Sequence, residues 1–259
     1  MPINTIDEVI AALDSIIQRS WDERSRIGYF AALYRRVTRA VKAGIAGNQF
    51  SDGPRMERLD VIFASRYLDA LAAYQAGVNP SRCWKVAFEA CADANLLVLQ
   101  HLLAGMNAHI NLDLGVAAAE VCPGESIEQL HPDFDMINTV LAAQVGAVES
   151  EMSAISPLIQ SLSQVGLQSE TTLINFNMGM ARGAAWFAAE RLAREPAMLR
   201  DITIDGLDLA VSIEGRAILY PPLKGEALSA IHAVEEQDVR KVLDTLNAYP
   251  AASTGGVPH

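Results

Sequence analysis

The stretch Leu99-Gln-His-Leu-Leu-Ala-Gly-Met-Asn-Ala-His-Ile-Asn-Leu-Asp-Leu-Gly-Val-Ala-Ala118 decides how this chain is read. It carries His101, Asn107, His109, Asn111 and Asp113 inside a run apolar enough to be core. Buried polar groups must be paired, by protein, water or a ligand. The same stretch is therefore both the middle of the expected fold and the candidate site. From Leu96 to about Val121 almost every other residue is apolar, and a helix apolar all round belongs in the middle of a bundle. Gly105 and Gly115 weaken that helix locally and permit neighbouring helices to approach closely.

On the N-terminal side, Thr5-Ile6-Asp7-Glu8 has the form of a capping box, and Ile6, Val9, Ile10, Leu13, Ile16 and Ile17 recur at helical spacing. A second helix carries Ile27, Phe30, Leu33, Tyr34, Val37 and Val41 on one face. Pro54 suits the first turn of a third, which runs through Leu59, Phe63, Arg66, Tyr67 and Leu71 until Gly77. Asn79-Pro80 starts another, with Trp84, Ala87, Phe88 and Cys91 inward.

On the C-terminal side, Pro123-Gly124 is a break, and His131-Pro132 opens a long helix with Asp133 and Asp135 in its first turn. Thr171 to Arg194 reads as a helix with Leu173, Phe176, Met180, Ala184, Phe187 and Ala188 inward. The segment from Asp201 to Leu219 allows a hairpin or a helix, and helix is preferred because an isolated hairpin is marginal. Short helices follow over Lys224 to Ala233 and Glu235 to Leu246, and Ala251 to His259 reads as a disordered tail. The expectation is an all-α, multi-helix bundle forming one domain over residues 1–250, with the helix near 96–121 buried at its centre.

Composition narrows the function classes. The 20 basic and 31 acidic residues give a formal charge of −11, which opposes nucleic acid and anionic membrane surfaces. Cys83, Cys91 and Cys122 are too few and too irregularly spaced for a disulfide framework or a thiolate zinc site. No apolar run reaches membrane-spanning length and no leader pattern is visible, so a cytoplasmic protein is expected. Gly-rich phosphate loops, the Gly-x-Ser-x-Gly elbow and His-Glu-x-x-His are all missing. One Glu-x-x-His stands at Glu128 to His131, expected off a helix because Pro132 follows.

On a helix His109 and Asp113, four apart, share a face, and an imidazole and a carboxylate so placed can ligate one divalent metal. Adding Asp133 gives an expected metal set of His109, Asp113 and Asp133, with His101 assisting proton transfer in hydrolysis. Gln100, Asn107 and Asn111 lie on roughly the opposite face. Partners available to these groups are Arg66, Tyr67, Asp135, Asn138, Asn177 and Arg182. Arg66, on an apolar stripe, either snorkels outward, the preferred reading, or meets an internal acid. The alternative to a metal-dependent hydrolase is a non-catalytic helical protein that binds a small apolar ligand or a partner, its polar residues forming an internal network.

The segments Phe63 to Ala70, Trp84 to Phe88 and Gln100 to Leu114, extending through Asp133, Phe134 and Asn138 to Arg182 and Trp186, resemble a family of uncharacterised bacterial proteins catalogued as a domain of unknown function. That resemblance covers most of the chain and implies an all-helical fold with these polar residues as its hallmark. The His109-x-x-x-Asp113 element is also similar to one used on a helix by the zinc-dependent phospholipase C and P1 nuclease group. The further histidines and the N-terminal tryptophan ligand of that group have no counterparts in matching positions here.

Overall fold

A computed structural model describes residues 3–158, 178–221 and 225–248. Among these residues there is helix and no strand. In chain order the elements are α1 (Ile6–Glu23), α2 (Ile27–Ala46), α3 (Gly53–Gln75), α4 (Arg82–Ala90), α5 (Val98–Ala108), a π-helical segment (His109–Leu114), α6 (Gly115–Val121), α7 (Ile127–Ile155), α8 (Met178–Arg194), α9 (Ala197–Leu219), α10 (Gly225–His232) and α11 (Val239–Asn247). No helix among them is long and apolar enough to cross a membrane.

Local chemistry sets the starts of these helices. The Thr5 hydroxyl accepts from the Glu8 amide at 3.2 Å while Glu8 accepts from the amides of Asn4 and Thr5, the capping box expected for α1. Asp52 caps α3 by accepting from the Arg55 amide at 2.9 Å. The buried carboxylate of Asp208 on α9 accepts from the amides of Arg82 and Cys83 at 2.7 and 2.9 Å, so α4 is capped by another helix.

The run α5, π segment and α6 is one continuous helical rod buried in the bundle. Helices α2, α4 and α9 pack on its first part, α3, α8 and α9 on the π segment, and α3, α7 and α8 on α6. Both central glycines are contact points. A methyl group at Gly105 would stand 2.6 Å from the Phe30 ring, and one at Gly115 would stand 2.8 Å from the Ala185 carbonyl of α8. Gln100 ties the start of the rod to the end of α9. Its carbonyl accepts from the Leu97 amide at 2.9 Å while its amide donates to the carbonyls of Ile218 and Leu219 at 3.2 and 2.7 Å.

The expectations for α7 and α8 need correction. Helix α7 begins at Ile127, so Pro132 lies inside it, Asp133 is past the first turn, and Glu128 and His131 are helical. Burial of Ile127 and Leu130 anchors this earlier start and offsets the backbone bond that Pro132, in the second turn, removes and the crowding of its ring. In α8, Met180, Ala184 and Phe187 face outward, while Ala181, Ala185 and Ala189 face the core. Close approach to Gly115 demands small side chains there, and that constraint outweighs the preference for burying large ones. The segment from 201 to 219 is helix, as expected. Leu173, Phe176, Asn177 and the tail over 251–259 lie outside the described residues.

Candidate functional site

Asp113 is the hub of the buried polar groups. Its Oδ1 accepts from Arg66 Nε at 2.8 Å, and its Oδ2 accepts from Trp84 Nε1 at 2.7 Å and faces His109 Nδ1 at 3.2 Å. Arg66 therefore meets an internal acid rather than snorkelling free, although its side chain stays partly exposed. The carboxylate is buried, and the guanidinium supplies the opposite charge that such burial requires. Burial lowers the proton affinity of His109 more than Asp113 raises it, so the ring is neutral. An N–H at Nδ1 directed to Asp113 leaves Nε2 as the acceptor, and Nε2 has no hydrogen-bond partner.

Aromatic rings enclose that imidazole. Phe63 stacks on it with centroids 3.5 Å apart, and Tyr34 meets it edge-on at 4.5 Å. Phe30, Tyr67 and Trp84 complete the surround at 5.6 to 6.2 Å.

The other expected site residues fall into separate groups. Asp133 accepts from the amides of Ser51 and Asp52 at 2.6 and 3.1 Å and from Arg55 Nη2 at 2.7 Å. Burial raises its proton affinity, but the bonds from Ser51, Arg55 and Asp52 outweigh that and hold the carboxyl below its usual range. His101 packs edge-on against Tyr29 and has no partner on either ring nitrogen. Burial, helped by Arg26, pushes its pKa down to about 4. Together with Tyr67 and Trp84 it borders a crevice of about 10 Å³, the size of one water molecule. Asn107 and Asn111 hold α9. Asn107 donates to the Val211 carbonyl at 2.9 Å, and Asn111 donates to Asn107 Oδ1 at 2.8 Å and to Glu214 at 3.2 Å. Arg182 donates to Asn138 Oδ1 at 2.6 Å and to the Phe134 carbonyl, with its guanidinium over the Phe134 ring.

The structure thus unites His109 with Asp113 but does not bring Asp133 or His101 to them. The two aspartates of the expected metal set are each paired with an arginine, a poor donor environment for a cation. Among the described residues no group of three or more His, Cys, Asp or Glu side chains is arranged to hold a metal ion.

Beside the His109 cage lies a mainly apolar cavity of about 60 Å³, bounded by Tyr34, Asp60, Phe63, Ile110, Phe134 and Arg182 among others. Two buried polar atoms on its wall, Asp60 Oδ2 and Tyr34 Oη, have no hydrogen-bond partner. The nearby Thr38 hydroxyl donates instead to the Tyr34 carbonyl at 3.0 Å. Burial, and then the charge of Glu57, push the pKa of Asp60 up to about 8. Asp60 is therefore largely a neutral acid at pH 7, both donor and acceptor. Sequence reasoning passed over Asp60 and Tyr34. The available signal was position: Asp60 falls four residues after Met56 and three and seven before Phe63 and Tyr67, on the inward stripe of α3.

No curated protein and no solved structure matches the chain. The sequence profile of a family of unknown function, DUF5995, matches residues 6–221, which span every residue of the His109 cage and of this cavity wall, and the chain belongs to that family.

Proposed function

We propose that the protein binds a small molecule with an apolar body and one hydrogen-bonding head, in the cavity beside Tyr34 and Asp60, without catalysing a reaction on it. The observation that carries this reading is the pair of unpartnered polar atoms on one apolar wall. An unmet buried polar group costs about 1–3 kcal/mol, and a ligand offering one donor and one acceptor would offset that cost at both atoms. Few polar groups converging on an apolar cavity is the usual composition of a small-molecule site. The cavity volume of about 60 Å³ limits the ligand to a few heavy atoms unless the walls move.

The hydrolase reading draws no support from this geometry. Asp113 and Asp133 are occupied by Arg66 and Arg55, and His109 is sealed among aromatic rings. A hydrolytic base needs a path to water and substrate.

The test is a thermal-shift and calorimetric titration with small aliphatic alcohols, amides and amines, on wild type and on Asp60→Leu. A saturable rise in melting temperature for wild type, lost in Asp60→Leu, is the expected result. No saturable shift with any member of the panel, or equal shifts in both proteins, would overturn the reading.

A further inference from the structure

The outward face of α9 is apolar where a lone helix on a protein surface should be polar. Its buried residues Asp208, Val211, Gly215 and Ile218 mark the core side. At about 100° per residue, the opposite side carries Met198, Ile202, Leu209 and Ile213. These four are 86 %, 69 %, 49 % and 61 % exposed. A contiguous exposed apolar stripe of this kind marks a contact surface.

The stripe has an internal symmetry. Ile202 and Leu209 lie equally far on either side of the midpoint between Asp205 and Gly206, and so do Met198 and Ile213. Laid antiparallel against a copy of itself, the helix therefore sets Ile202 against Leu209 and Met198 against Ile213, with glycine at the crossing. Gly206 weakens a helix interior, yet a methyl group there would meet nothing within 4 Å in its own chain. Close approach of a second backbone is what a glycine at that point would serve. Asp205, beside the axis, is already paired with Arg82 at 2.6 Å, which offsets the repulsion between two copies. A bilayer surface fits less well, because Asp201 and Glu214 are exposed on the borders of the stripe and the chain has a formal charge of −11.

We propose that α9 forms the contact of a two-fold symmetric homodimer, pairing antiparallel with α9 of a second copy about an axis at Asp205 and Gly206. Such a self-complementary patch is the requirement of a closed two-fold assembly.

Sedimentation velocity over a dilution series tests the assembly, and thiol cross-linking tests its register. The expected results are a wild-type particle of twice the chain mass and a monomer for Leu209→Glu with unchanged helical circular dichroism. A short bis-maleimide should join Gly206→Cys chains efficiently, join Met198→Cys chains no better than wild type, and join the Met198→Cys/Ile213→Cys double variant. A wild type that is monomeric throughout, a dimer that survives Leu209→Glu, or cross-linking of Met198→Cys equal to that of Gly206→Cys would each overturn the proposal.

Discussion

Asp60 and His101 are buried groups of opposite tendency, and together they shape the stability of the protein against pH. Asp60 moves from 3.8 up to about 8. The folded chain holds its proton where the unfolded chain has released it, so this contribution is lost as pH rises through that window. His101 moves from 6.5 down to about 4, so its contribution is present above 6.5 and is lost as pH falls toward 4. Between 4 and 6.5 the two effects oppose one another; above 6.5 Asp60 acts alone. One proton is worth 1.36 kcal/mol per pH unit, so wild type should lose roughly 2 kcal/mol between pH 6.5 and 8. Urea denaturation at a series of pH values checks this, and Asp60→Asn should remove the decline; an equal decline in that variant would refute the assignment. At this scale the sequence disclosed the His109–Asp113 pair, because four-residue spacing is a local property. It offered Arg66 only as one of six available partners and did not offer Trp84. Arg66 and Trp84 reach Asp113 from other helices, and Arg55 reaches Asp133 across 78 residues of chain.

At the scale of elements, the fit between α6 and α8 depends on one missing methyl group. Gly115→Ala would gain up to about 1 kcal/mol of helix propensity. Against that, the new Cβ would meet the Ala185 carbonyl at 2.8 Å, and overpacking against a backbone that has little freedom to move costs about 1–3 kcal/mol. The second effect wins, so thermal denaturation of Gly115→Ala should show a lower midpoint. A midpoint equal to or above that of wild type would mean that α8 shifts freely. The helices themselves were largely legible, since caps and apolar periodicity are written in neighbouring residues, as at Thr5 to Glu8. The inward face of α8 was not, because it is chosen by how closely α6 approaches and not by hydrophobicity. The π segment was not legible either, since its wider turn leaves no mark in composition.

At the scale of the whole molecule, the family match ends at residue 221, but the core does not. Val239, Val242, Leu243 and Leu246 of α11 are buried against α1, α2 and α7. Arg240 stacks over Trp21, and Arg36 joins Glu151 to the carbonyls of Leu246 and Ala248. A chain truncated after Pro221 would uncover the α1–α2 face that Leu243 touches at Gly28. Burying one such aliphatic side chain contributes about 1.5–3 kcal/mol, and four are lost together. That truncation should give a protein that melts far lower and binds a hydrophobic dye, as read by calorimetry and dye fluorescence; unchanged melting would show that α11 is an appendage. The π segment has its own consequence for the whole. A turn wider than the α-helical one shifts the phase between the two halves of the central rod, and on either side of it α5 presents Gly105 to α2 and α6 presents Gly115 to α8. Because six residues in the wider turn sweep about the same angle as five in an α-helix, deleting one of Ile110, Asn111 or Leu112 would restore a plain α-helix that keeps Gly115 against α8 while bringing His109 and Asp113 one residue closer along the rod.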